Sequence, residues 1–373
     1  MTKKKDKNTI NYRMTPIDPL ISRDARPFGE GGRVRSLEWL SQSVAAGAVR
    51  TALWKEDPSR TPEQLRQVSL RGPFPLIGGK MYLPRPLDVV VSKKGCGAPE
   101  VWQIRPIEMP AGCGANVPID GLLPAAPETE EDFKPEKLDA FWSLDLMKQW
   151  LTKGKEGFSL DENETLAAPQ KDERTHVKIN PDTGAGEEGM LFSTTGLDFT
   201  RRNGDTFQAG GAALEASFGS LGANLGDFIA PVGGERRLAR FEVKDEDKNL
   251  WTAKEIELGD KLRMVLATPA VFAKGWLPGW IDDKTLEGTL PETSLKLKLV
   301  SAVTGRWQPL SGWSYEDKAL GPKALRRAVP AGSVYFFERL EGEVKEGDIW
   351  LRSVCDDEQD RRDGLGLAVW GVW

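Results

Sequence analysis

The residues best suited to chemistry in this chain are arginines set among glycines. Between Ile17 and Arg35 the sequence places Arg23, Arg26, Arg33 and Arg35 around Gly29, Gly31 and Gly32. Glycine lets backbone N–H groups approach an anion closely, and arginine adds bidentate hydrogen bonds to phosphate. Four arginines on one loop suit a chain of phosphates better than one isolated phosphate. No Walker lysine-serine pair follows, and the glycines do not form a dinucleotide fingerprint, so the spacing is not a nucleotide-binding signature. Related clusters recur at Gly233-Gly234-Glu235-Arg236-Arg237, at Lys323, Arg326 and Arg327, and at the pairs Arg201/Arg202 and Arg361/Arg362. Glycines or turns adjoin each of them. The clusters fit one converging polyanion groove; the plainer alternative makes each an ordinary solvated face.

Other reactive groups are sparse. His176 is the only histidine. It has the chemistry of a general base for RNA cleavage, but the sequence offers no positioned acid beside it, so no catalytic residue is assigned. Cys96, Cys113 and Cys355 contain no Cys-x-x-Cys pair, which argues against zinc and against a disulfide framework. Asp356-Asp357-Glu358 reads as a solvated acidic turn. No metal and no cofactor is expected. Of the 13 tryptophans, Trp276 and Trp280 in Lys-Gly-Trp-Leu-Pro-Gly-Trp are candidates for stacking on bases, the rest for core or interface.

These groups need elements to hold them. Ile10, Tyr12 and Met14 alternate as on a strand, and Leu37, Leu40, Val44, Ala48 and Leu53 keep helical spacing, with Ser36 as a candidate N-cap. A strand feeding a Gly-rich loop that opens a helix aims free N–H groups at an anion. Strands are expected at Met81–Leu83 and Leu87–Val91. Strand, helix, then strands is the opening of a split βαβ, ferredoxin-like unit, as in RNA-recognition domains. Leu138–Leu151 has a helical apolar side, and Lys153–Arg174 is charged and reads as an excursion. Leu295–Val303 alternates Leu and Lys as a half-buried strand. Val329–Phe337 and the last residues to Trp373 are further strands.

The chain has 373 residues, a net charge of −5 and a pI near 5.4, so no global basic field draws it to nucleic acid. Any polyanion site must be a local patch. No apolar run approaches spanning length, and the start carries no apolar signal segment, so a cytoplasmic protein without membrane contact is expected. The expected fold class is α+β with two ferredoxin-like domains and long inserted loops, residues 1–150 and 151–373, the boundary lying near 125–155.

The residues also carry a family resemblance. Ile17-Asp-Pro-Leu-Ile-Ser-Arg-Asp-Ala-Arg-Pro-Phe-Gly29, Gly72-Pro-Phe-Pro75, Leu83-Pro-Arg-Pro-Leu-Asp88, Gly189-Met-Leu-Phe-Ser193, Gly233-Gly-Glu-Arg-Arg237, Ala267-Thr-Pro-Ala-Val-Phe272, Leu310-Ser-Gly-Trp313, Val329–Phe337 and Gly364–Gly371 occur in order along nearly the whole chain. Together they resemble the CRISPR-associated RAMP family that forms the third subunit of the type III-B, or Cmr-module, effector complex. The resemblance implies two ferredoxin-like RAMP domains in a non-catalytic, RNA-binding subunit of a ribonucleoprotein for antiviral defence. It implies that the subunit grips the 5′ handle of the guide crRNA. Its implied partners are the large polymerase-like subunit and the backbone RAMP subunits, with target RNA met only indirectly. Gly364 and Gly366 become structural or RNA-facing. The acidic stretch Glu128–Asp132 and the charged excursion after Lys153 depart from the family pattern. Two alternatives stand beside this: a metal-independent crRNA-processing endoribonuclease, and a protein-only scaffold.

Overall fold

The strand expected from Ile10, Tyr12 and Met14 runs over Thr9–Pro16 (β1), with Tyr12 and Met14 buried. The computed structural model describes residues 8–25, 33–92, 100–129, 132–154, 158–203, 206–222, 224–252, 256–314, 321–343 and 345–373. It is a strand-rich α+β chain with few helices.

The chain forms two compact units, each built from separated stretches. Met1–Met81, Ala168–Lys248 and Pro309–Arg326 make the first; Tyr82–Ala167, Asn249–Gln308 and Arg327–Trp373 make the second. Patterning along the sequence suggests one boundary near 125–155, whereas the two units alternate along the chain.

In the first unit, α1 (Gln42–Glu56) leads to β2 (Ser69–Ile77), and much later come β3 (Gly211–Ser217) and β4 (Leu238–Val243). Their order across the sheet is β4-β1-β3-β2. Each neighbouring pair is antiparallel, so β1 and β2 run parallel with β3 between them. The connection through α1 is therefore a split β-α-β crossover. Ala45, Ala46, Ala48, Val49, Ala52 and Leu53 form the buried side of α1 and share a core with Tyr12, Met14, Leu70 and Leu214. A run of alanines lets the helix lie close to the sheet, and alanine carries the best helix propensity.

The helix starts later than expected. Ser36 does not cap it: its Oγ donates to Thr195 O at 2.5 Å, and the flanking bonds from Leu37 N–H to Ser22 O at 2.7 Å and from Asp24 N–H to Arg35 O at 2.9 Å hold it in a ladder before the helix begins. Ser41 holds the N-cap position instead. Arg33–Ser41 therefore lie between the Gly-rich stretch of the sequence and the start of α1 at Gln42.

In the second unit, β5 (Lys261–Leu266), β6 (Lys296–Val303), β7 (Val334–Glu341) and β8 (Leu367–Val372) are ordered β6-β7-β5-β8. Numbered by appearance, the four longest strands of each sheet read 4-1-3-2, flanked by shorter strands. The alternation in β6 resolves as expected, with Leu297 and Leu299 buried and Lys296 and Lys298 half-buried. A helix, α2 (Leu144–Lys153), packs on β8, although it precedes every strand of this sheet in sequence. The approach is close at Gly371, where a Cβ would lie 2.4 Å from Leu151 O. The expected helix from Leu138 is shortened because Phe141–Ser143 pairs as a strand, and Ser143 Oγ then caps α2 by accepting from Leu146 N–H at 3.2 Å.

Part of the charged excursion is ordered. Gln170–Ile179 and Gly186–Asp198 form a long antiparallel hairpin, and its second strand pairs in parallel with Arg33–Val34. No helix among the described residues is long and apolar enough to cross a membrane.

Candidate nucleic-acid interface

The first unit gathers its arginines around one backbone segment. Residues 17–24 are tied on one side to residues 33–37 and on the other to residues 233–238. On the first side, Arg23 bridges Ser36, and the two hydrogen bonds joining Ser22–Asp24 to Arg35–Leu37 close the ladder. Ser22, fully buried, accepts from Ser41 N–H at 3.0 Å and so couples this ladder to the start of α1. On the second side, Ile21 bridges both Gly233 and Gly234, and Gly234 N–H donates to Ile21 O at 2.8 Å. Ile17 N–H donates to Leu238 O at 2.9 Å. Leu20 and Leu197 exchange both hydrogen bonds, which anchors the segment to the long hairpin as well.

Gly233 is required by this packing. Its φ is +79°, and a Cβ would sit 2.2 Å from Ile21 O. The tight turn beyond it holds Glu235 and Arg236 at φ 57° and 50°, in the left-handed region, which costs roughly 1–2 kcal/mol per residue for non-glycine types. Val232 N–H donates to Arg237 O at 2.7 Å and closes the turn. Strain of this kind persists where surrounding contacts over-determine it, here the lock on Ile21.

Arg23, Arg35 and Arg236 are thus presented on adjoining backbone, all exposed. Arg33 is exposed and ion-paired with Glu173 of the long hairpin, both about half accessible. Arg237 is half-buried, and its Nε is buried with no hydrogen-bond acceptor among the described residues. Guanidinium groups on a frame that is already hydrogen-bonded suit a run of phosphates, since little ordering remains to be done on binding.

The structure therefore brings Arg23, Arg33, Arg35, Gly233, Gly234, Arg236 and Arg237 together. Arg26, Gly29, Gly31 and Gly32 lie outside the described residues. Lys323 follows the ribbon of Trp313–Ser314 and Gly321–Pro322, its N–H donating to Gly312 O at 2.8 Å, and Arg326 opens a separate strand, Arg326–Ala328, paired with Gln308–Leu310. Arg327 belongs to the second unit, its guanidinium 5.0 Å from the ring centre of Trp307. Ile21, Ser22 and Glu173 complete the first-unit site and carried no signal in the sequence beyond lying near its glycines and arginines.

The remaining candidates have structural partners. His176 is half-buried, its Nε2 2.9 Å from Thr194 Oγ1 and its ring stacked on Phe192. Trp280, a candidate base-stacker, stacks on Phe337 and donates Nε1–H to Val354 O at 3.2 Å, and Trp276 O accepts from the Tyr335 hydroxyl at 2.5 Å. Gly364 and Gly366 are buried, and a Cβ on Gly366 would lie 2.6 Å from Cys355 Sγ. Among the described residues no group of three or more His, Cys, Asp or Glu could hold a metal ion.

A strand-rich α+β chain with two sheets of one strand order, carrying arginine–glycine loops, is the class of protein these observations define. The chain belongs to the CRISPR-associated protein (Cas_Cmr3) family, whose model matches residues 12–373. No curated protein matches it. Among solved structures, chains of the type III-B Cmr-β complex bound to cognate target RNA, one with AMPPnP in state 1, are similar at TM-score 0.48 and 14% identity. Each covers 87% of this chain and 86% of the other. A chain of the Csm3–Csm4 subcomplex of the type III-A CRISPR-Cas interference complex is similar at TM-score 0.38 and 10% identity, covering 90% of this chain and 95% of that one.

Proposed function

We propose that this protein is a non-catalytic, RNA-binding RAMP subunit of a cytoplasmic type III-B CRISPR effector complex. In that role it holds the 5′ handle of the guide crRNA, anchors the large polymerase-like subunit and adjoins the backbone subunits. Its two 4-1-3-2 sheets are then two ferredoxin-like domains. The observation that carries the reading is the convergence of Arg23, Arg33, Arg35 and the Gly233–Arg237 turn on Ile21. An otherwise acidic chain spends two distant glycine–arginine motifs on one small surface.

Phosphate contacts set the affinity and make it fall with salt, while unstacked handle bases supply selectivity. One observation favours the scaffold reading: Arg33 already meets a protein carboxylate, Glu173. The test is binding to RNA with an intact or scrambled 5′ handle, with and without the large subunit, in EDTA at two salt concentrations. The recovered RNA is run on a gel. The expected result is handle-selective binding and uncut RNA. Arg23→Ala with Arg236→Ala should weaken binding and lower the salt slope by about 1.4, at roughly 0.7 per lost phosphate contact to single-stranded RNA. Unchanged affinity and slope would place the site elsewhere. Cut RNA would revive the nuclease alternative, and no binding even with the large subunit would leave the scaffold.

A further inference from the structure

A second surface, within the second unit, combines aromatic and cationic groups in a way the arginine–glycine frame does not. Trp307 is 46% exposed, and the Arg327 guanidinium lies 5.0 Å from its ring centre, within cation–π range. Arg306 and Arg327 are themselves exposed. Both arms that carry these residues are held at the base. Gly305 N–H donates to Ser333 Oγ at 3.4 Å, and Val329 exchanges hydrogen bonds of 2.7 and 2.9 Å with Ala270. A Cβ on Gly305 would lie 2.8 Å from Pro330, so the arms also pack closely there.

The charge pattern is one-sided. From Ser301 to Gln308 and from Arg327 to Phe337, both in the second unit, the sequence contains no Asp or Glu, yet holds Arg306 and Arg327, in a chain of net charge −5. A half-exposed indole among cations, with no acidic residue in either stretch, matches a ligand that is both anionic and flat. An unpaired nucleotide has both properties: its base offers a π-face to the indole and its phosphate a partner to arginine.

We propose that Trp307, braced by Arg327, is a stacking platform for an unpaired nucleobase of bound single-stranded RNA, with Arg306 beside it for the adjoining phosphate. This rests on the RNA-binding reading above and adds to it a base-contacting residue remote in sequence from the Arg23 loop. Trp280, in contrast, is committed to Phe337 and Val354.

The test uses the full chain with its large subunit and a 4-thiouridine-substituted RNA carrying the guide's 5′ handle. After irradiation, cross-linked peptides are mapped by mass spectrometry, and affinity is measured for Trp307→Ala, Trp307→Phe and Arg327→Ala. A cross-link at Trp307 is expected in the unaltered protein. Trp307→Ala should weaken binding about 5- to 100-fold with the salt slope unchanged, since no charge is lost. Trp307→Phe should keep most of the affinity, and Arg327→Ala, which removes the brace and leaves Arg306 for the phosphate, should weaken binding less than Trp307→Ala. If RNA binds and cross-links near Arg23 or Arg236 while Trp307 stays unlinked and Trp307→Ala binds normally, the platform is refuted and the RNA-binding reading stands. A link from Trp307 to a protein subunit instead of RNA refutes it too. If the unaltered assembly binds no RNA, both readings fall together.

Discussion

The two units share an order of the longest strands in their main sheets, and each carries a set of arginines that contrasts with the other's. In the first, Arg23, Arg35 and Arg236 stand in solvent on loops, held there by backbone pairing. In the second, Arg263 projects from central strand β5 and is wholly buried. Its Nη1 donates to Asp88, also wholly buried, and its Nη2 donates to Trp150 O at 2.5 Å. Trp150 Nε1–H donates back to the same carboxylate at 2.9 Å, and Gln103 Nε2–H reaches it at 3.4 Å. The network ties α2 and the Asp88 segment to a sheet that neither belongs to. Arg263 is thus an internal tie, whereas Arg23, Arg35 and Arg236 are displayed charges. What separates the two roles is burial: Arg263 is enclosed together with its carboxylate, while the others lie at the surface.

That contrast breaks first at the buried pair. Asp88→Ala leaves a buried guanidinium without its counter-charge, and breaking such a pair costs roughly 3–5 kcal/mol. Denaturant unfolding should show a loss of that size in the second unit. The Arg23→Ala/Arg236→Ala variant, with solvent-facing side chains, should stay within about 0.5 kcal/mol of the parent. Equal losses from both changes would erase the distinction. A smaller effect tests the frame that displays the charges. Gly233→Ala forces a Cβ against Ile21 O in a left-handed conformation, at a cost of about 1–3 kcal/mol. RNA affinity should fall with no change of charge, and normal affinity would show that the Ile21 lock does not place the arginines. The smallest effect is chemical. Cys355 is buried and its thiol is pushed up to about 12, chiefly by desolvation, whereas Cys113 is exposed. Iodoacetamide at pH 8 on the native protein should label Cys113 and spare Cys355. Rapid labelling of Cys355 would mean that the second unit opens readily.

Much of this was readable from the residues. Period-two alternation gave β1 and β6 because one face of each strand is buried and the other is not. The glycine pair at Gly233 was visible as a motif, but its partner Ile21 was not, since no local rule links positions so far apart. Ser36 looked like a cap by type; long-range pairing claimed it first, and the helix began at Gln42. Trp280 and Trp307 are the same residue type in similar glycine-containing stretches. Only tertiary contacts show one stacked on Phe337 and the other half exposed under Arg327. A boundary near 125–155 treats the domains as contiguous, whereas each compact unit is drawn from separated stretches of the chain.

The alternation of the two units along the chain has a consequence for synthesis. β1 emerges among the first residues but is flanked by β3 and β4, the latter ending at Val243. At about 5–20 residues per second, β1 waits on the order of ten to fifty seconds for its neighbours. The second unit's sheet receives β8 only with the final residues. The four long strands of the first unit's sheet can meet once Val243 is made, while the second unit's sheet still lacks β8. Each sheet leaves strand edges unpaired until its last strand arrives. Expression yield should therefore respond to elongation rate and chaperone supply more than the stability of the finished fold would suggest.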